Sequence, residues 1–155
     1  MISQHDIRLA QPRDAARIAV MSRDFIESGL GWRWTEERIA KCMRDATINV
    51  VVAGEGAQLS GFGIMEYRDE EAHLLLLAVQ MAARRHGVGS ALMSWLEATV
   101  LTAGIGMVYL ESRLNNREAR AFYKKLGYRE LAVKPRYYRG REDAIRLAKD
   151  LWAPR

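Results

Sequence analysis

A short basic loop with two glycines, placed between a strand-like run and a helix-like run, constrains this chain most. The loop occupies residues 84–89 (Arg-Arg-His-Gly-Val-Gly), after the apolar run 74–79 and before a helical run over 90–102. Glycines let a backbone approach a ligand closely, and the free N–H groups at a helix start can receive phosphate. The arginines add positive charge where a pyrophosphate would lie. On their own, two glycines equally fit a plain turn.

Length and composition predict a single domain over residues 1–155. Hydrophobic residues make up 49% of the chain and charged residues 28%, which is ordinary for a globular protein. A chain of 155 residues can bury a core without metal or disulfide support.

Three features of the sequence predict a cytoplasmic protein without a membrane segment. The first ten residues include Asp6 and Arg8 and lack the apolar region of a signal peptide. The longest apolar run, residues 74–79, is too short to span a bilayer. The single cysteine, Cys42, excludes an internal disulfide and fits a reducing compartment.

The charge balance favours an anionic ligand without identifying it. The formal net charge is +5, with part of the excess near the 84–89 loop and much of the rest over residues 124–141. Such a surface suits a nucleotide-bearing cofactor or a ribonucleoprotein particle, and equally a solvated basic face with no partner. We predict no direct nucleic-acid substrate, because neither a basic stripe interleaved with aromatics nor a recognition helix is visible.

Hydrophobic periodicity predicts the element order β-α-α-β-β-β-α-β-α-β-β. Strands are predicted over residues 7–10, 48–53, 59–67, 73–79, 107–111, 128–133 and 144–151. Helices are predicted over residues 13–28, 36–44, 90–102 and 116–126, with Thr35 as N-cap of the second and a loop over 134–143. Strand 73–79, apolar from Leu74 onward, is predicted to be central and covered on both faces. The consecutive middle strands exclude a regular Rossmann alternation, so a mixed α+β sheet with helices on its faces fits best.

Three motifs in the second half of the chain are considered as one set. The first is the 84–89 loop directly after a strand ending Leu77-Ala78-Val79. The second is Asn115-Asn116 before a helix that ends with residues 121–128 (Ala-Phe-Tyr-Lys-Lys-Leu-Gly-Tyr). The third is the stretch 137–145 (Tyr-Tyr-Arg-Gly-Arg-Glu-Asp-Ala-Ile), with strand residues 109–113 (Tyr-Leu-Glu-Ser-Arg).

Together with the element order, these motifs resemble the GCN5-related N-acetyltransferase (GNAT) superfamily. The third motif is most similar to the bacterial ribosomal-protein N-terminal alanine acetyltransferases. The resemblance covers about residues 5 to 150 and is most specific over 74–128. One departure is Met81, where the family usually has proline. This change alters loop stiffness rather than cofactor use, because the binding groups there are backbone amides.

The resemblance implies an α+β fold with a GNAT-like mixed, mostly antiparallel sheet and helices on both faces. It also implies acetyl-CoA as co-substrate, no metal, and direct attack by an amine in a ternary complex. The implied cofactor-binding residues are Leu77, Ala78, Val79, Arg84, Arg85, His86, Gly87, Val88, Gly89, Ser90, Asn116 and Tyr123. The loop and helix dipole would hold the pyrophosphate, and the strand backbone would pair with the pantetheine and stabilise the oxyanion. Asn116 would contact the pantetheine, cap the following helix, or do both.

The resemblance further assigns two catalytic residues, Glu111 and Tyr123. Glu111 matches the general base, acting directly or through a water. Its alternative is a solvated carboxylate paired with Arg113. Tyr123 matches the residue that protonates the departing thiolate, and its alternative is a packed aromatic on the helix. An α-amine, with a pKa of roughly 7.7 to 8.0 against about 10.4 for lysine, needs less help from a base.

Other reactive side chains carry weaker predictions. We expect Cys42 to be a small packed residue rather than an acyl carrier, because no His or carboxylate motif points to it. His5, His73 and His86 lack metal-ligand spacing, and His86 is either a phosphate-side contact or exposed. Aromatic residues of two loops either border the acceptor entrance or pack against the protein: Trp32, Trp34, Tyr137 and Tyr138.

The acceptor is left open between a protein or peptide N-terminal α-amine and a small amine such as a polyamine, amino acid or aminoglycoside. A cationic small acceptor usually needs several carboxylates. The unplaced candidates for that role are Glu27, Glu36, Glu37, Glu66, Asp69, Glu70 and Glu71. A catalytically silent CoA-binding sensor is a third possibility, against which the presence of Glu111 and Tyr123 argues. Either a monomer or a homodimer fits the sequence.

Overall fold

A computed structural model describes residues 6–55 and 58–153, so His5 lies outside the described residues. The strands are β1 (Ile7–Leu9), β2 (Ile48–Glu55), β3 (Gln58–Tyr67), β4 (Glu71–Val79), β5 (Met107–Arg113), β6 (Arg129–Tyr138) and β7 (Glu142–Asp150). The α-helices are α1 (Ala15–Met21), α2 (Glu36–Met43), α3 (Val88–Thr102) and α4 (Arg117–Lys125). This confirms the predicted element order.

The strands form one seven-stranded sheet in the order β1-β2-β3-β4-β5-β7-β6. Every neighbouring pair is antiparallel except β4 and β5, which run parallel. Leu92 and Leu96 of α3 are buried on one face, and Ile18 of α1 and Ile39 of α2 on the other. The predicted α+β class, with a mixed, mostly antiparallel sheet and helices on both faces, is therefore confirmed.

Two predicted segments differ from the structure. The helix predicted over 13–28 is α1 flanked by a 3-10 turn (Pro12–Asp14) and a π turn (Ser22–Ile26). The apolar pattern predicts a helix without fixing its hydrogen bonds, and the π turn forms where the Glu27 N–H bonds the Ser22 carbonyl. The loop predicted over 134–143 is mostly strand, because β6 and β7 continue to the pair Tyr138 and Glu142.

The centre of the sheet is opened by a bulge in β4. Ile64 of β3 pairs with Leu76, but its neighbour Met65 pairs with Leu74, so Leu75 is the extra residue. Beyond this point β4 and β5 separate, since their pairing ends at Leu74 and Leu110. The prediction of a central strand covered on both faces is confirmed, and the separation leaves a gap along its second half.

Glycine is required at each of the two loop positions for a different structural reason. Gly87 caps α3 with a φ of 84°, in the left-handed region that favours glycine. A Cβ on Gly89 would lie 3.0 Å from the Phe122 ring, so this glycine lets α3 and α4 approach each other. The loop is therefore fixed in place by the start of α3 and the neighbouring helix.

Two further predictions have outcomes here. Cys42 is buried on α2 and burial raises the pKa of its thiol, which fits the predicted packed residue. Thr35 caps α2 as predicted, because its hydroxyl accepts from the Arg38 N–H. Over the described ranges, helices long and apolar enough to cross a membrane are absent.

Candidate active site

Two adjoining pockets occupy the gap between β4 and β5. The loop pocket, of about 810 Å³, lies beside residues 84–90, and the carboxylate pocket, of about 480 Å³, contains Glu27 and Glu111. Both pockets are lined by Phe25, Leu77, Asn116, Ala119 and Tyr123. A molecule lying in the loop pocket can therefore reach the carboxylate pocket past these shared residues.

The loop pocket brings together most of the predicted cofactor-binding residues. Those on its wall are Leu77, Ala78, Val79, Arg84, Arg85, Gly87, Val88, Gly89, Ser90, Asn116 and Tyr123. His86 is exposed and is not among the described residues that line it. Sequence reasoning missed Phe122 and Lys125, which α4 contributes.

The two loop arginines differ in how they are held. The Arg84 Nε donates to the Val79 carbonyl at 3.0 Å, and its guanidinium lies 3.7 Å from a Glu118 carboxylate oxygen. Arg85 is exposed, has a φ of 66°, and makes no side-chain hydrogen bond or ion pair to any other described residue. Arg84 thus fastens the loop to β4, while Arg85 is free to meet a ligand.

Asn116 and Tyr123 lie at the junction of the two pockets. The Asn116 Oδ1 accepts from the Ala119 N–H at 3.0 Å, so the N-cap interpretation is confirmed. The buried Tyr123 ring packs edge-on against Phe122 and Tyr128. Its hydroxyl bonds to none of the described residues, and burial raises its pKa far above the ordinary value of 10.0. The phenol is therefore protonated at neutral pH.

Glu111 sits at the centre of a hydrogen-bonded cluster in the carboxylate pocket. Its Oε1 lies 2.6 Å from His73 Nε2 and accepts from the Tyr137 hydroxyl at 3.3 Å. Its Oε2 accepts from Arg146 Nε at 2.8 Å. The alternative that pairs Glu111 with Arg113 is wrong, because the Arg113 guanidinium turns to the Ile26 and Ser28 carbonyls and to Glu142.

The surroundings of Glu111 set its protonation state. Burial alone would raise the pKa of this carboxyl, but the hydrogen bond and charge of His73, together with Arg146, outweigh burial and lower it. The side chain is 5% exposed. Glu111 is therefore ionised at neutral pH and is a weaker base than an ordinary glutamate.

A second buried carboxylate, Glu27, lines the carboxylate pocket and is held by several hydrogen bonds. It accepts from the Ser22 hydroxyl, from the Arg33 and Trp34 N–H groups, and from Arg139 Nη2 at 3.0 Å. These bonds tie the segment after the π turn to the β6–β7 hairpin. The sequence offered Glu27 only as one of several unplaced acids.

The remaining lining of the carboxylate pocket is more basic than acidic. Four arginines line it with the two glutamates: Arg33, Arg38, Arg113 and Arg139. The other acids weighed as contacts for a cationic acceptor, Glu36, Glu37, Glu66, Asp69, Glu70 and Glu71, lie outside the described lining. Trp34, Tyr137 and Tyr138 line the pocket, whereas the Trp32 indole donates to the Ala19 and Trp34 carbonyls.

The described residues hold no group of three or more His, Cys, Asp or Glu side chains placed to bind a metal ion. A sheet opened between parallel strands, a helix start capped by glycine beside it, and a buried tyrosine and a carboxylate on the walls form this site. These are the features that the sequence resemblance implies for an acyltransferase that takes its acyl group from a coenzyme A thioester.

Comparison with known proteins gives the same result. Residues 18–128 match the acetyltransferase (GNAT) family, and the chain belongs to that family. The ribosomal protein bS18-alanine N-acetyltransferase of Escherichia coli K12 is 32% identical over 118 residues, 74% of this chain and 79% of that protein.

Solved structures agree with the family assignment. Ard1 from Thermoplasma volcanium has a TM-score of 0.83 and 29% identity, covering 95% of this chain and 97% of that one. The Escherichia coli S18-alanine enzyme has a TM-score of 0.79 and 25% identity, covering 98% and 97%. The chain is an acetyl-CoA-dependent N-acyltransferase.

Proposed function

We propose that this enzyme acetylates the free α-amine of a protein or peptide N-terminus, by direct attack on acetyl-CoA in a ternary complex. The observation that carries the proposal is the electrostatics of the carboxylate pocket. Its two carboxylates, Glu27 and Glu111, are both engaged by arginine, and arginines outnumber them on the wall. The kinship with an enzyme named for a ribosomal-protein alanine supports the same acceptor class.

A polycationic small amine fits this pocket poorly. Each extra ammonium group needs a carboxylate to replace the water it loses, and unpaired charges in a pocket are costly. An N-terminal α-amine brings a single positive charge, and half of the amine is neutral when the pH equals its pKa of roughly 7.7 to 8.0. The remaining peptide offers carbonyl oxygens, for which arginines are suitable donors.

The loop pocket would hold the acetyl-CoA. The N–H groups at the start of α3 and the dipole of that helix favour the pyrophosphate, with Arg85 adding charge. The Leu77–Val79 backbone lies where β4 has lost its partner β5, so its free groups can pair with the pantetheine arm. An N–H at this edge would stabilise the oxyanion as the amine attacks.

Tyr123 would act on the leaving sulfur. Because burial raises the pKa of its hydroxyl, the phenol is a weaker acid than ordinary tyrosine and stays protonated. It would hold the developing thiolate by hydrogen bonding as the carbon–sulfur bond breaks, and supply the proton that completes the thiol. Asn116, whose Oδ1 is used by its cap, has its amide N–H₂ left for the pantetheine.

The test is transfer of an acetyl group to a mixed panel scored by mass spectrometry. The panel contains peptides with free N-termini, the same peptides with blocked N-termini and a free lysine, and small amines. We expect a mass gain on the free N-termini alone. Transfer to small amines instead, or binding of acetyl-CoA with no transfer to any acceptor, would contradict the proposal. A cytoplasmic location stays a prediction from the three sequence features given above.

A further inference from the structure

We propose that the imidazole of His73 accepts the proton of the acceptor amine, and that Glu111 is a positioning residue that orients this imidazole. The inference rests on the proposed function, because it assigns the base for attack by an α-amine. It changes the role that the sequence resemblance implies for Glu111.

The two side chains are brought together where β4 and β5 pair in parallel. His73 of β4 pairs with Tyr109 of β5, and Glu111 follows two residues later on the same face. The His73 Nε2 and Glu111 Oε1 lie 2.6 Å apart, and both residues line the carboxylate pocket. The His73 side chain is 15% exposed against 5% for Glu111, so the imidazole is the more accessible of the two.

Glu111 itself has little capacity left to accept a proton. Its oxygens already accept from Tyr137 and Arg146 besides contacting His73. The His73 and Arg146 contacts outweigh burial and lower the pKa of the carboxyl, which weakens it further as a base. A carboxylate bound in this way is suited to fixing the orientation and tautomer of a histidine.

The tautomer follows from the charge of Glu111. An ionised carboxylate only accepts hydrogen bonds, so the Nε2 of a neutral His73 carries the hydrogen and donates it. The lone pair then lies on Nδ1, which has no hydrogen-bond partner in the described part of the chain. Imidazole nitrogen is the side-chain base best suited to neutral pH.

Other charged and titratable groups line the pocket that contains His73 or contact Glu111. They are Glu111 and Arg113 from β5, Tyr137 and Tyr138 from β6, Arg146 from β7, Arg139 from the hairpin turn, Arg38 from α2, Tyr123 from α4, and Glu27 and Arg33 from the segment between α1 and α2. Only the Glu111 oxygen is bonded to His73 among them.

Each transfer removes two protons from the α-ammonium and adds one to the sulfur. His73 Nδ1 takes one proton from the α-ammonium, and the neutral amine attacks the thioester carbonyl carbon. The second proton lost from that nitrogen goes to solvent as the amide forms. The carbon–sulfur bond breaks, and the sulfur keeps the electron pair and is protonated from Tyr123. Solvent then reprotonates Tyr123 and accepts the proton from His73.

The decisive variants separate the two side chains. His73→Gln keeps an amide N–H that can reach Glu111 but removes the base, and His73→Ala removes both. We expect each to lower kcat by about 100-fold or more, with acetyl-CoA affinity unchanged. Glu111→Gln should lower kcat less and shift the pH at which kcat/KM rises, because the imidazole remains but loses its negative partner.

Added imidazole provides a readout that a structural role would not move. We expect free imidazole to restore part of the His73→Ala activity, in proportion to its neutral fraction, and to leave Glu111→Gln unchanged. Full activity in both His73 variants, with Glu111→Gln inactive, would overturn the inference and make Glu111 the base. Loss of activity without imidazole rescue would also overturn it. If the wild-type enzyme acetylates no α-amine, the proposed function fails instead.

Discussion

Arg139 and Glu27, 112 residues apart in the chain, form an ion pair at 3.0 Å across the carboxylate pocket. Glu27 follows the π turn after α1, and Arg139 lies at the turn between β6 and β7 with a φ of 56°. The pair therefore joins the two segments of chain between which an acceptor would enter.

Arg139→Ala should raise the KM for a peptide acceptor and leave acetyl-CoA binding unchanged. The lost ion pair with Glu27 lies in the carboxylate pocket and not in the loop pocket. Glu27 keeps its bonds to the Arg33 and Trp34 N–H groups, so we expect about 1–3 kcal/mol of lost unfolding free energy. Steady-state kinetics and denaturant titration measure the two effects. Arg141→Ala, on the same hairpin but exposed, is the control; an equal rise in its KM would contradict the prediction.

Tyr123→Phe should lower kcat by about 100-fold while acetyl-CoA affinity stays within about twofold. The ring packing against Phe122 and Tyr128 is kept, and only the hydroxyl is lost. Tyr128→Phe is a matched control, because its hydroxyl donates to Glu97 away from both pockets. That control should cost about 1 kcal/mol of stability and keep its kcat. An unchanged kcat in Tyr123→Phe would remove this residue from the mechanism.

Arg85→Ala should weaken acetyl-CoA binding by about tenfold in calorimetry, because its guanidinium is free to meet a phosphate. The same substitution should leave the thermal midpoint of the unliganded protein unchanged. Arg84→Ala should lower that midpoint, since the loop loses its bond to the Val79 carbonyl. Equal affinity of wild type and Arg85→Ala for acetyl-CoA would exclude Arg85 from the phosphate site.

Stability should depend on acid pH through Glu111. The pKa of this carboxyl is lower in the folded chain than its ordinary 4.5, so the folded state favours the ionised form. The stabilisation is complete above pH 4.5 and is lost as the pH falls through the lowered value. Urea titrations of wild type and Glu111→Gln over that range should converge as the pH falls. A constant difference between them would show that ionisation of Glu111 does not stabilise the fold.

Local features of this chain were predictable because they depend on neighbouring residues. The Thr35 and Asn116 caps and the strand–loop–helix unit around Gly87 follow from short-range hydrogen bonding and backbone preference. The change of winding at Ser22 was not visible, because an apolar pattern predicts a helix without fixing which hydrogen bonds it makes. The strand part of residues 134–143 was not visible, because this segment has no apolar alternation and contains Pro135 and Gly140.

The composition of the carboxylate pocket depended on long-range register, which sequence patterns do not contain. His73 meets Glu111 only because β4 and β5 run parallel with His73 opposite Tyr109. Arg146 reaches the same carboxylate because it lies opposite Glu111 in the pairing of β5 with β7. The sequence shows His73 and Arg146 as polar residues within apolar strands, but this pattern does not indicate which residue each one contacts.

The parallel pairing of β4 with β5 ends at Leu74 and Leu110, and beyond these residues the sheet has two sides separated by a gap. One side carries β1 to β4, and the other carries β5 to β7. A ligand lying along the unpaired edge of β4 would bridge this gap. It would supply the hydrogen bonds that β4 and β5 do not make to each other there. Binding of acetyl-CoA would then also fix the position of β5, which carries Glu111 of the carboxylate pocket.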